Sequence, residues 1–232
     1  MPLLRKNRFT NRRTGSKRVR KITRRVNYPR CQCLPECGRE SLPNSPFCEI
    51  HQKMCPRKAP LSGFEPPYDP DFFNKNPHLL GSHNCAAYAF GYLNTKAKKD
   101  DPFPQPGAFA GYPKFSKVRR KTCPDMLARV FGDMPSVKPT TFEARCPAGT
   151  SKIALAVDAR SDYHVWRQGT DGMWSHKPGA TEVTDKDAFG RPIYDVALSS
   201  RNYNKKGSHL NYNRFCGYLC VPRTKGPRMT QP

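Results

Sequence analysis

Hydrophobic positions in this 232-residue chain concentrate between residues 83 and 221, and their spacing predicts a short series of elements. Residues 85–93 follow Asn84, a good helix cap, and carry alanines and aromatics, so a helix is expected to start at Cys85. A second helix is expected over 124–131 behind Thr122. There Met126, Leu127, Val130 and Phe131 share one face, and Gly132 is a natural stop. Residues 153–157 read as a buried strand and 163–168 as the next. Residues 173–177 are its expected hairpin partner across Gly169-Thr-Asp-Gly172. A last strand is expected at 215–221. Helices first and antiparallel strands after make an α+β pattern.

The hairpin fixes a spatial relation. His164 and His176 are an even spacing apart, and Asp171-Gly172 suits a three-residue turn with glycine in the left-handed position. Under that register His176 opposes Trp166 and sits diagonal to His164, with Cβ atoms about 7–8 Å apart or less. One imidazole is then placed to orient the other.

Outside this region the chain changes character. Residues 1–30 hold twelve Arg/Lys and no acid, and form a basic arm. Residues 31–55 form a cysteine cluster, and 56–82 a proline-rich segment expected to be an extended connector over other structure. Residues 83–221 are the main domain, and 222–232 a polar tail. The whole chain carries 41 basic and 18 acidic residues, net +23, and only 36% of it is hydrophobic. No run of 18 apolar residues is present to span a membrane, and none follows the basic start as a secretory signal requires. A cytosolic or nuclear protein with a solvated arm is therefore expected.

The cluster reads Cys31-x-Cys33-x3-Cys37-x10-Cys48-x2-His51-x3-Cys55. Zinc takes four N/S ligands in a tetrahedron, commonly as two close pairs separated by a loop. Cys33/Cys37 and Cys48/His51 are the expected pairs, with Cys31 and Cys55 as alternates. Such a closed site is structural, and it supplies about 10–16 kcal/mol to a segment with little core of its own.

Cys85, one residue past a helix cap, is placed for a lowered thiol pKa and for nucleophilic chemistry with a histidine base. His83 is an alternative partner. A helix-borne cysteine, then a strand histidine, then a polar residue one strand further resembles the NlpC-type, papain-like amidases and peptidases. The resemblance spans roughly residues 83–180. It implies Cys85 as nucleophile, His164 as general base and His176 as orienter, on a helix packed against an antiparallel sheet. Ser45-Pro-Phe-Cys-x-x-His51, His-Asn-Cys85 and Tyr-His164…Trp-Ser-His176-Lys-Pro-Gly also resemble small basic virion proteins of nucleocytoplasmic large DNA viruses, minor capsid proteins among them. That likeness implies a virion location, synthesis in host cytoplasm and capsid or other virion proteins as partners.

The arm's cations Arg5, Lys6, Arg12, Arg13, Lys17, Arg18, Arg20, Lys21, Arg24 and Arg25 are the expected contacts to a polyanion or partner. Each phosphate neutralised adds about −0.9 to the salt slope, so half the arm gives roughly −5. Nucleic acid, acidic protein surfaces and anionic membrane all fit. The expected role is thus a structural cement built on a papain-like scaffold. An active thiol hydrolase and a nucleic-acid packaging protein are the alternatives.

Overall fold

The computed structural model describes residues 28–53, 55, 57–96, 103–206 and 208–223. The arm's ten named cations, Arg5 to Arg25, lie outside the described residues, as do residues 224–232 of the tail.

Among the described residues four short α-helices precede or flank the sheet. Helices α1 (Pro70–Asn74) and α2 (Pro77–Ser82) each open with proline, whose missing N–H costs nothing in a first turn. Asp69 and Asn76 cap them, accepting from Phe72 N at 3.0 Å and from His78 N at 3.0 Å. The connector is therefore not extended throughout: its Asp-Pro and Asn-Pro steps start helices. Helix α3 (Cys85–Phe90) is capped by the Asn84 side chain, which accepts from Ala87 N at 2.9 Å, and stops at Gly91 with φ 78°. Helix α4 (Cys123–Asp133) starts behind Thr122, as its pattern predicts, but runs through Gly132. That glycine serves a close approach, since a Cβ there would meet the Ala110 Cβ at 2.8 Å.

Strands β1 (Lys138–Thr140), β2 (Thr150–Val157), β3 (Tyr163–Gln168), β4 (Trp174–Ser175) and β5 (Arg214–Pro222) form one antiparallel sheet in the order β1-β5-β2-β3-β4. The α+β class is as expected, with a longer β2 and an additional edge strand. Every residue of β3 is buried, because both faces of the sheet are covered. One face packs Ile153, Leu155, Val157, Tyr163 and Val165 against α3 and α4. The other packs Ala154, Ala156, Trp166 and Trp174 against Ile193, Val196, Tyr212 and Tyr218, from the segment between β4 and β5 and from β5 itself. Full burial of such side chains contributes roughly 1.5–3 kcal/mol each.

Three disulfides fasten this frame. Cys123–Cys216 ties the first residue of α4 to a bulge in β5, and Cys146–Cys220 ties the loop before β2 to the same strand. Cys33–Cys55 closes the cysteine-rich segment. Among the described residues no helix is long and apolar enough to cross a membrane.

Candidate functional site

The turn after β3 has the geometry its sequence predicts. Gly169 N donates to Met173 O at 2.8 Å, Gly172 N to Gly169 O at 2.9 Å, and Gly172 sits at φ 78°. β4 pairs with β3 through Gln168↔Trp174 and Arg167↔Ser175, a register that sets His176 across from Trp166. β4 is shorter than expected because the His176 backbone turns to Thr184, exchanging hydrogen bonds of 2.8 and 2.9 Å.

His164 and His176 meet: His164 Nε2 lies 2.8 Å from His176 Nδ1. His176 Nε2 lies 2.9 Å from the Lys186 carbonyl oxygen, which can only accept. His176 therefore carries its proton on Nε2 and offers Nδ1 as acceptor, so His164 donates from Nε2. The Nδ1 of His164 is left with its lone pair. Burial, then the neighbouring His176, holds His164 well below the usual histidine range, so it is neutral at neutral pH.

Cys85 is the first residue of α3 and is buried. Alternation along β3 puts Tyr163 and Val165 on the α3 face, while His164 and Trp166 point to the other. Residues 163–166 lie beyond the reach of β4, however, and Cys85 and His164 both border one cavity of about 490 Å³ at that open edge. Burial, and secondarily Asp162, pushes the Cys85 thiol up to about 12 against hydrogen bonds from Val165 N–H, Ala86 N–H and Tyr163. The predicted lowering at a helix start is thus outweighed by desolvation. Among the described residues no hydrogen bond joins Cys85 to His164. The site is an uncharged thiol and a neutral, oriented imidazole bordering one cavity.

His83 is not the partner of Cys85. Its Nε2 accepts from Asn94 N at 3.1 Å and its Nδ1 faces Ser82 Oγ at 2.9 Å, so both nitrogens are committed to local structure. Burial, with Lys177 second, lowers it to about 4. Lys177 is a site residue with no signal in the sequence. Its buried ammonium donates to Leu80 O at 2.7 Å and Gly179 O at 2.8 Å. Burial draws it down to about 8, an effect that Cys85 opposes.

A second constellation lies in the cysteine-rich segment. Cys31, Cys37, Cys48 and His51 bring their ligand atoms within 4.8 Å of one another. Cys31 Sγ and Cys48 Sγ lie 3.4 and 3.5 Å from His51 Nδ1, and Cys37 Sγ lies 3.7 Å from Cys48 Sγ. Tetrahedral zinc with Zn–S about 2.3 Å and Zn–N about 2.0–2.1 Å has edges of roughly 3.8 and 3.6 Å, so the donor set fits. Cys33 was the expected ligand, but its sulfur is bonded to Cys55 and cannot ligate; Cys31 takes its place.

This segment reaches the histidine pair through one loop. Gln32 accepts from Tyr194 N at 2.9 Å and donates to Pro192 O at 3.3 Å. Arg191 bonds Ser41 and Ser45, and Phe47 packs on Tyr194 at 4.6 Å. Lys186, whose carbonyl orients His176, bridges to Pro192 in the same loop. Residues interleaved with the candidate metal ligands thus hold the strap that sets the imidazole tautomers.

Comparison with known proteins finds Insoluble matrix shell protein 1 of Ruditapes philippinarum, 30% identical over 163 residues, which are 69% of this chain and 90% of the relative. The chain belongs to the family of that shell matrix protein. No protein-family model matches it. No solved structure matches it either.

Proposed function

We propose that the protein is a structural component of an insoluble assembly, built on a papain-like scaffold and hardened by cross-links. Its family relationship to a protein named for an insoluble shell matrix carries this reading. The three disulfides support it, since such bonds persist where oxidation is maintained. A helix-borne cysteine over an antiparallel sheet with a His–His pair favours the papain-like scaffold. Zinc suits the three thiols and one imidazole of the metal centre, holding a small module that docks on the strap. The basic arm supplies attachment to acidic partners. A virion, with capsid proteins, nucleic acid or anionic membrane as neighbours, is the setting proposed from the sequence; a mineralised or proteinaceous matrix is another of the same kind. Sedimentation tests the role. Oxidised protein mixed with polyaspartate at physiological salt should pellet, and deleting residues 1–30 should abolish this. A mixture that stays soluble with the intact chain contradicts it.

The histidine pair favours a second reading, a thiol hydrolase acting on amides. In that chemistry His164 Nδ1 takes the Cys85 proton, the sulfur attacks the carbonyl carbon, and His176 steadies the imidazolium formed. The C–N bond then breaks as the imidazolium returns the proton to the departing amine, and water hydrolyses the acyl-cysteine to acid and free thiol. The reaction needs the thiol and imidazole to close the gap between them. Mass-spectrometric capture of an acyl group on Cys85 from a thioester donor is the test. Acylation that persists in His164→Ala removes the general base from the account.

A further inference from the structure

The cavity beside Cys85 has a chemical bias that neither reading uses. Asp162 lies on its wall, half-buried, at the step into β3. Among the described residues its carboxylate makes no ion pair, and its hydrogen bond is from the adjacent Tyr163 N–H at 2.9 Å. Among the described residues no lysine or arginine lines this cavity, and the nearby Lys177 spends its ammonium on Leu80 O and Gly179 O. The cation whose charge Asp162 feels, Lys121, spends its ammonium on Val118 O at 3.0 Å and on the Phe115 ring. Glu65, Asp133 and Asp158 also lack an ion pair among the described residues, but each accepts two or three hydrogen bonds where Asp162 accepts one, so its desolvation is compensated least. Burial raises its pKa, which a bound cation would reverse. Tyr203 and Tyr212 share the wall and supply aromatic faces for a cation and its aliphatic stem.

A second cavity of about 540 Å³ adjoins the first, sharing Asn84, Gln105, Gly179 and Ala180 beside the thiol. Lys114 and Arg129 border it, the latter paired with Asp125, and no carboxylate lines it among the described residues, so it lacks the first cavity's acidic wall. Two chambers with a shared wall suit a polypeptide segment, which can occupy both, rather than a free amine.

From this we infer that the cavity of Asp162, Tyr203 and Tyr212 is a binding subsite for a lysine side chain of a polypeptide segment threaded past Cys85. The subsite requires no turnover. A docked lysine serves as an assembly contact under the structural reading and as a specificity element under the hydrolase reading.

The test uses full-length Cys85→Ala protein, which binds without reacting, and two labelled peptides followed by fluorescence anisotropy. Acetyl-Gly-Gly-Lys-Gly-Gly-amide offers the cation, and its norleucine counterpart keeps the stem without the charge. Lysine is expected to bind at least about ten-fold tighter than norleucine, the size of a partly buried charge pair. Asp162→Asn, which preserves the acceptor for Tyr163 N–H, should erase that preference and leave norleucine binding unchanged; Asp162→Glu should keep part of it. Equal binding of the two peptides, no binding of either, or an equal loss of both in Asp162→Asn overturns the proposal. Failure of acyl capture with this binding intact removes only the hydrolase reading.

Discussion

Replacing Cys146 and Cys220 together by alanine removes the cross-link between the β2-preceding loop and β5, and its cost follows from chain topology. Alone, the disulfide closes a loop of 74 residues. Chain entropy then assigns it about 15 cal/mol/K, about 4.4 kcal/mol at 25 °C. The neighbouring Cys123–Cys216 bond shortens the ring. The chain runs back from 146 to 123, across that disulfide to 216 and on to 220, roughly 27 residues, which lowers the figure to about 3.5 kcal/mol. For a domain of this size each kcal/mol moves the midpoint by about 2–4 °C, so the double variant should melt about 7–14 °C below the parent. Scanning calorimetry under non-reducing conditions measures this, with peptide mapping to verify the pairing. Parent and variant melting within about 2 °C of each other, or free thiols at Cys146 and Cys220 in the native protein, would refute the reasoning.

Three further outcomes follow from the same geometry. Metal analysis should return one zinc per chain, lost in Cys48→Ser and retained in Cys33→Ser; the opposite pattern would restore Cys33 as ligand. His83 is neutral in the fold with a pKa near 4, against about 6.5 unfolded, so the unfolded chain binds the extra proton between those values. Stability should be fully present above pH 6.5 and fall by a few kcal/mol toward pH 4, read as a falling urea midpoint; an unchanged midpoint argues against a buried neutral imidazole. Gln32→Ala should keep zinc while costing about 1–3 kcal/mol, because backbone N–H groups of the strap lose their acceptor. It should also weaken the slowly exchanging Nε2–H signal of His176 in NMR spectra; a sharp, unaltered signal would separate the module from the strap.

How much of this was legible beforehand varies with the range of the interaction. The β3–β4 turn and the meeting of His164 with His176 follow from strand alternation and one glycine, both local signals. The caps Asn84 and Thr122 are local too, and both helices start where they should. Asp69-Pro and Asn76-Pro were equally visible, but proline density pointed to extension when two prolines were opening helical turns. Disulfides across 74 and 93 residues have no local signature, since pairing depends on how β5 lies in the sheet. The choice between Cys31 and Cys33 was invisible for the same reason: the two are one residue apart, and the disulfide to Cys55 decides it. The Cys85 pKa was misjudged because a helix start is a local feature, whereas burial under Tyr163 and Val165 is a tertiary one.

Burial keeps the Cys85 thiol uncharged, as expected of a protein for which we propose a structural role rather than thiol catalysis. Alkylation of Cys85 with iodoacetamide across pH, quantified on its own peptide with zinc bound, measures this directly. Slow labelling with no inflection below about pH 10 is the outcome this account predicts. Rapid labelling with an inflection at pH 7 or below would contradict it and make the hydrolase the primary reading.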